Sequence, residues 1–314
     1  MPQRGGMFPG VTMFKSVFLA AAIVAAPFSA AQAASLDAVD LLQQFNLITK
    51  GDVQANSLHV HGRALIGGGM TGNKVDVNMD NIDNIVASDF DDLIVGNATS
   101  GTKVHLHNGA TASMNGTPGL VEAGSYTTPA VMPENYAAIL DDFAAQLAGV
   151  DATAMAVKNK DGNLITFGAA ASGGTTYYDI AAADLQNRDI DLLLNGAESI
   201  VINVTGTGTF NLNSNFRGNK AVSSNVIWNF TGFDTVNLYR SIWGQVLAGD
   251  SHVYFNADIE GSLFADTVTA QAQVHVQPLQ FTPPVSQVPL PAGGWLMLAG
   301  FGAFGALRAR RARA

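Results

Sequence analysis

Four histidines stand in two short pairs, His59-Val60-His61 and His105-Leu106-His107. Alternate side chains of a strand share a face, so each pair presents two imidazoles together and turns Val60 or Leu106 toward the core. If the two strands stacked in register, four imidazole nitrogens would converge, a donor set suited to zinc or copper. The plainer reading makes them polar, outward strand positions, and it is preferred because a metal site also needs matched geometry and orienting partners. The sequence therefore assigns no metal and no cofactor, and His59, His61, His105 and His107 stand only as candidate ligands. His252 carries no signal.

Carboxylates gather between Asp76 and Asp92 (DVNMDNIDNIVASDFDD). Calcium favours such oxygen-rich loops. Neither the EF-hand spacing nor the glycine-rich nonapeptide of calcium-binding β-rolls is present, so a solvated acidic edge is expected instead. Asp91-Asp92 would serve a polysaccharide-cleaving enzyme only at a separation that sequence does not supply. Basic residues are scattered, whereas lyases acting on uronates rely on Lys or Arg. No nucleophile motif, phosphate loop or dinucleotide fingerprint occurs. No catalytic residue is assigned, and the chain reads as a non-enzyme.

These residues sit on short elements. From Ser35 to about Gly124 come β-like runs such as Leu58 to Ile66, Lys74 to Met79, Leu93 to Val95 and Lys103 to His107, bounded by Gly, Asn and Asp turns. One amphipathic helix follows. Pro133-Glu134-Asn135 suits its first turn, Tyr136, Ile139, Leu140, Phe143 and Leu147 make one apolar face, and Gly149 ends it. Strands resume from about Ala152 to Phe281, including Ile200 to Val204, Asn225 to Phe230, Thr235 to Tyr239, His252 to Phe255 and Gln273 to Val276. So many short strands predict a sandwich or a β-solenoid, and without a strict repeat the pattern alone does not choose between them.

The two ends place the chain. From Met13, which reads as the natural start, Lys15 precedes an apolar run from Val17 to Ala26, and Ala31-Gln32-Ala33 fits a cleavage site before Ala34. That is the layout of a secretory signal peptide over 1–33, handled by Sec-type export. At the other end the apolar run Ala292 to Leu307 is followed by Arg308, Arg310, Arg311 and Arg313. About 16 residues give roughly 24 Å of helix, short for a bilayer core of about 30 Å. The arginines would hold its end in the cytoplasm. Between the ends lie all 25 acidic residues but only ten of the 16 basic ones, a net charge near −15. Such acidity argues against nucleic acid and anionic membranes as partners. The absence of cysteine excludes disulfides, thiolate metal sites and a lipidated cysteine.

Particular residues resolve the ambiguity. Phe45-Asn46-Leu47-Ile48, Gly51-Asp52-Val53, Gly62-Arg63-Ala64 and Gly67-Gly68 resemble the opening of the bacterial choice-of-anchor A domain. Val226 to Phe230, Gly244 to Ala248, Ile259 to Leu263 and Val274-His275 resemble its close, so the likeness spans about Leu36 to Phe281. One position departs: Gly249 stands where a proline is expected. The tail Val288-Pro289-Leu290-Pro291-Ala292 with its apolar run and arginines, residues 285–314, is similar to the VPLPA-type sorting signal, which implies processing by an exosortase-type membrane enzyme after transient insertion.

The resemblance implies a mainly β fold for residues 34–284, a right-handed β-solenoid (β-helix) with one long α-helix packed along its side, as in ice-binding-like adhesive domains. It gives His275 a structural hydrogen bond near the end of the solenoid. The implied work is that of an exported cell-surface or extracellular-matrix adhesin holding an extracellular polysaccharide or another surface ligand. Ice binding and a polysaccharide-acting β-helix enzyme are the alternatives. Thr205, Thr207 and Thr209, three threonines on one side of an extended segment, are the feature an ice binder would use, although a β-favouring strand or turn explains them as well.

Overall fold

Strands of three residues, such as Leu58–Val60 and Leu93–Val95, bury too little surface to stand alone and gain stability by stacking. In the computed structural model, which describes residues 36–80, 86–97 and 101–282, they stack as rungs of a parallel β-solenoid. The described residues belong to one compact unit. A twelve-stranded sheet runs along the axis. Its path is Ser125–Thr127, Thr111–Met114, Leu93–Val95, Ala64–Ile66, Leu47–Thr49, Leu263–Ala270, Gln245–Phe255, Val226–Leu238, Ser199–Leu212 and Thr175–Ala181. The chain thus begins in the middle and coils out to one end. A helix follows, and the strands resume at the far end and wind back to meet the first strand, where Leu47, Ile48 and Thr49 pair with Leu263, Phe264 and Ala265.

A second, seven-stranded parallel sheet follows the same order through Leu120–Glu122, Lys103–Leu106, Lys74–Val77, Leu58–Val60, Gln273–His275, Ile259–Glu260 and Ile242–Trp243. A third sheet of four strands covers the C-terminal half, with Val157–Lys158 as its antiparallel edge. Coil lengths are unequal. Hydrogen-bonded residues on neighbouring rungs lie 26 positions apart at Asn203–Asn229, 19 at Gly96–Asn115, 17 at Gln245–Ser262 and 15 at Glu260–His275. This spread is why no fixed repeat is visible in the sequence.

Unequal coils need different fillings. The narrow N-terminal coils are packed with Val60, Ile66, Val75, Val95, Val104 and Leu106. In the wide C-terminal coils Trp228 meets Phe167 and Phe216 edge-on, at centroid distances of 5.8 Å, and its indole N–H donates to Trp243 O at 2.8 Å. The buried polar atom of a large aromatic is thereby satisfied.

Among the described residues three α-helices interrupt the coils: α1 (Ala38–Gln44), α2 (Tyr136–Ala148) and the single turn α3 (Ala182–Leu185). The predicted helix is α2, but it starts at Tyr136. Asn135 adopts left-handed dihedrals (φ 55°), which a right-handed helix cannot include, so Pro133 and Glu134 lie outside the first turn. Helix α1, which the sequence pattern does not announce, is closed by a reciprocal capping box between Asp37 and Asp40. Leu140, Phe143 and Leu147 of α2 and Leu41 and Leu42 of α1 bury an outward row of the long sheet, made by Ile94, Leu65, Ile48, Phe264 and Leu247, one residue per rung. Covering such a row removes an apolar stripe from water, as the amphipathic pattern of α2 requires.

The row changes character under the C-terminal end of α2, continuing as Asn229, Asn203 and Asp179. Asn229 donates to Ala144 O (2.9 Å) and Asn203 Oδ1 (3.0 Å), and Asn203 donates to Leu147 O (3.1 Å) and Asp179 Oδ1 (3.0 Å). At Gly249 the reason for the missing proline is a close approach: a Cβ there would lie 2.5 Å from Asp141 Oδ1 and 2.6 Å from the Phe264 ring. Asp141 instead pairs with Lys50 Nζ at 3.0 Å, tying α2 to the first rung.

Other expectations are adjusted. The run Leu58 to Ile66 is two strands, Leu58–Val60 and Ala64–Ile66, because the chain turns a coil corner at Gly62, where a Cβ would lie 1.8 Å from Asn46 Oδ1. Asn225 to Phe230 and Thr235 to Tyr239 belong to one strand, Val226–Leu238, with a shift in register between. The signal-cleavage residues Ala31, Ala33 and Ala34, the motif residues Val288, Pro289, Leu290, Pro291 and Ala292, and Arg308, Arg310, Arg311 and Arg313 lie outside the described residues. Among the described residues no helix is long and apolar enough to cross a membrane.

Candidate functional site

On the second sheet the alternation of the His pairs holds: Val60 and Leu106 are fully buried, and the imidazoles point outward. Ladder register places His59 beside Asp76 and Asp76 beside His105 on three successive rungs. Three of the four predicted histidines therefore meet, around a carboxylate. Asp76 Oδ1 lies 2.8 Å from His107 Nε2 and 3.4 Å from His105 Nδ1, and Asp76 Oδ2 lies 3.4 Å from His59 Nε2. Lys74 Nζ is 2.9 Å from Oδ1. The His105 and His107 rings stack at 4.0 Å.

Asp76 is 2% exposed, which removes it from the solvated acidic edge expected of its segment, while Asp89 farther along is exposed. Burial works to raise its carboxyl, but hydrogen bonds from His107 and Lys74 and the nearby positive charge hold it below the ordinary value. Neighbouring acids are also engaged. Asp92 Oδ1 lies 3.0 Å from Arg63 Nε, and Asp80 takes His61. Sequence reasoning missed Asp76 because, in Lys-Val-Asp-Val, only the period-two alternation that puts Val75 and Val77 inside marks it as facing the histidines' side.

His61 goes elsewhere. Its Nδ1 is 2.7 Å from Asp80 Oδ1, its Nε2 is 2.8 Å from Gln273 Oε1, and its ring meets His275 edge-on at 4.4 Å. His275 makes the structural hydrogen bond expected of it, 2.9 Å to Glu260, but in the middle of the sheet, because the last strand closes on the first-formed coils. Lys220 Nζ completes the pair, 2.9 Å from Glu260.

The hydrogen bond to Glu260 lifts the His275 imidazole above 6.5, against burial and Lys220, with Asp258 adding to the rise. Burial pushes the Glu260 carboxyl up, and His275 and Lys220 together hold it below 4.5. The histidine's contribution is present below its unfolded value and lost as pH rises through the higher folded one. The glutamate's is present above 4.5 and lost as pH falls through the lower folded one. His275→Gln is therefore expected to cost about 1–3 kcal/mol near pH 5.5, with the gap to the parent narrowing above pH 7. Urea melts across pH 5–9 check this; a gap that widens with pH would contradict it.

Beyond the part covered by α2, the long strands bend and present a second, uncovered face. Two polar columns run across it: Thr209, Thr235, His252 and Thr267, and beside them Asn211, Asn237, Tyr254, Thr269, Gln54 and Thr71. Thr205, Thr207 and Thr209 are exposed, but the ladder shifts register on both sides of Gly208, and only Thr209 joins a column. His252, without a signal in sequence, interrupts that column and bonds Thr267 Oγ1 at 2.9 Å. Beside this face lies a cleft of about 540 Å³ lined by Asn215, Phe216, Tyr239, Arg240, Trp243 and Asn256. Phe216 and Trp243 lie 5.5 Å apart, and Tyr239 meets Tyr254 of the polar face at 5.8 Å. Aromatic faces beside amide and guanidinium groups make a surface for a polar ligand that also carries C–H faces.

Comparison with solved structures finds low-identity likenesses. An ice-binding protein from the Antarctic ascomycete Antarctomyces psychrotrophicus is 15% identical over 77% of this chain and 98% of its own, with a TM-score of 0.38. An ice-binding protein from an Antarctic biological consortium is 15% identical over 76% and 88%, with a TM-score of 0.34. A domain of Shewanella frigidimarina ice-binding protein 1 is 15% identical over 75% and 95%, with a TM-score of 0.33. Comparison with curated proteins finds no match. A family model for an ice-binding-like adhesive domain matches residues 38–276, from α1 through the last strand. The chain belongs to the family of ice-binding-like adhesive domains.

Proposed function

We propose that this chain is an exported adhesive protein of the bacterial cell surface or extracellular matrix, and that it holds a neutral polysaccharide along the aromatic cleft and the adjoining polar face. The carrying observation is the continuity of the two: Trp243, Phe216, Tyr239 and Tyr254 lead from the cleft onto the Asn211–Asn237 column. Aromatic rings stack on sugar C–H faces while Asn, Thr and Arg groups take hydroxyls, and many weak contacts over a broad face sum to retention. The net charge near −15 between the chain's two hydrophobic ends disfavours an anionic polymer.

Adhesion is favoured over ice binding because the threonine column is broken by His252, and the second column mixes Asn, Tyr and Gln with Thr. Electrophoresis of the exported protein through gels containing dextran or alginate tests the reading. Retardation is expected with dextran and not with alginate, and Tyr239→Ala and Trp243→Ala are each expected to weaken it about tenfold, a loss in line with removing one well-packed aromatic anchor. Equal mobility of parent and variants in every gel, or ice crystals shaped by the parent protein, would overturn it. Adhesion outside the cell goes with removal of residues 1–33 and trimming of the VPLPA-type tail by an exosortase-type enzyme. An exported product whose mass includes Ala314 would sink that part.

A further inference from the structure

We propose that Asp76, His59, His105 and His107 form a binding site for one first-row divalent transition metal, zinc by donor set and geometry, which clips three successive rungs of the second sheet. Two independent observations meet here. The ligand atoms of Asp76, His105 and His107 all lie within 4.8 Å of one another, and His59 Nε2 approaches the same carboxylate from the next rung at 3.4 Å. Tetrahedral ligands at zinc bond lengths of about 2.0–2.1 Å stand roughly 3.4 Å apart. The separation from Asp76 Oδ1 to His105 Nδ1 already has that value. His107, at 2.8 Å from the same oxygen, must open, and His59, 3.4 Å from the other oxygen and outside the three-residue cluster, must swing in as the fourth ligand.

The second observation is electrostatic. Asp76 Oδ2 is buried without a hydrogen-bond donor in a side chain that is 2% exposed. A buried carboxylate oxygen left so costs free energy that a coordinated cation would recover. Lys74 now supplies the compensating charge at the other oxygen. Its side chain is 43% exposed, so the ammonium can withdraw into water when a dication takes the carboxylate.

Three imidazoles and one carboxylate suit zinc, nickel, copper or cobalt, whereas calcium and magnesium require more oxygen donors than this cluster has. The ligands stand on three neighbouring rungs of one sheet, so the role that fits the ion is to fix strands. The order of rungs Leu58–Val60, Lys74–Val77 and Lys103–Leu106 is set by short ladders, and one ion bridging them would lock their register.

Titration of the exported protein with zinc sulfate, followed by calorimetry, is the test. One zinc per chain is expected, and cobalt in its place is expected to give the visible absorption of a tetrahedral ion. Asp76 is buried, so its replacement could unfold the chain. His105→Gln and His107→Gln sit at partly exposed positions and are the informative variants, each expected to weaken zinc binding at least tenfold. His61→Gln, outside the cluster, is expected to bind zinc as the parent does, and Lys74→Gln to bind it more tightly by removing the competing cation. No zinc uptake at 100 micromolar by the folded parent would overturn the proposal. So would equal losses in His61→Gln and His107→Gln.

Discussion

Phe264→Ala is expected to destabilise the protein by about 3–5 kcal/mol. The ring is fully buried and sits where the chain closes on itself, between Ile48 of the first rung and Leu247 of the next. Lys50 Nζ lies 5.8 Å from its centroid, and the absence of a Cβ at Gly249 leaves room for its edge. Truncation would open a cavity under helices α1 and α2 at a junction of distant segments: Ser262 Oγ donates to Leu42 O at 2.8 Å across 220 positions. Packing around this ring helps to offset the entropy of closing so long a loop, and alanine would forfeit it. Val157→Ala, at a position 66% exposed on the antiparallel edge, is expected to stay within about 0.5 kcal/mol of the parent. Urea unfolding of both variants gives the comparison, and a loss below about 1 kcal/mol at Phe264, where ordinary substitutions are centred, would mean that the seam does not carry the fold.

That seam shows what local pattern conveys and what it leaves out. Period-two alternation places Val60, Val75, Val104 and Leu106 inside and their polar neighbours outside, because the strand pleat is a local property. The apolar face of α2 is likewise local, since Leu140, Phe143 and Leu147 recur at helical spacing. The pairing of Leu47 with Leu263 is not local. No rule of composition says that the first rung will lie in the middle of the stack. Helix α1 is silent in the sequence for a related reason: seven residues carry only two turns of periodicity, and its stability comes from burying Leu41 and Leu42 against the seam.

The candidate sites divide the same way. The facing direction of His59, His105 and His107 was legible, but the partner that gathers them was not, because Asp76 lies in a run of acids that reads as surface. Register, which depends on coil length, decides that Asp76 falls between His59 and His105 and that His61 falls beside His275 instead. The aromatic cleft brings Phe216 to Tyr239 and Trp243, which stand more than twenty positions later in the chain. Only the stacking of wide coils brings them together, so spacing along the sequence held no sign of it.

Asn203→Ala is expected to cost about 3 kcal/mol, because three hydrogen bonds meet at one buried side chain and each orphaned group carries a penalty of roughly 1–3 kcal/mol. Without Asn203, Leu147 O keeps only backbone contacts at the helix end, the one with Val150 N at 3.4 Å, Asp179 loses a donor, and Asn229 loses an acceptor whose place no water can readily take. The C-terminal carbonyls of α2 are those a helix cannot satisfy internally, so the end of the helix should loosen first. Asn237→Ala removes a similar ladder bond, 2.8 Å to Asn211, from the uncovered face. There water replaces the missing amide, and a change within about 0.5 kcal/mol is expected. Both asparagines bond a neighbouring rung, but Asn203 is buried and also holds Leu147 O, whereas Asn237 is partly exposed and holds no helix. Thermal melts of the two variants separate the cases, with protease cleavage near Gly149 reporting the helix end. Equal shifts in both would show that the ladder beneath α2 holds the helix no better than a solvated one would, and the account of how α2 is anchored would fail.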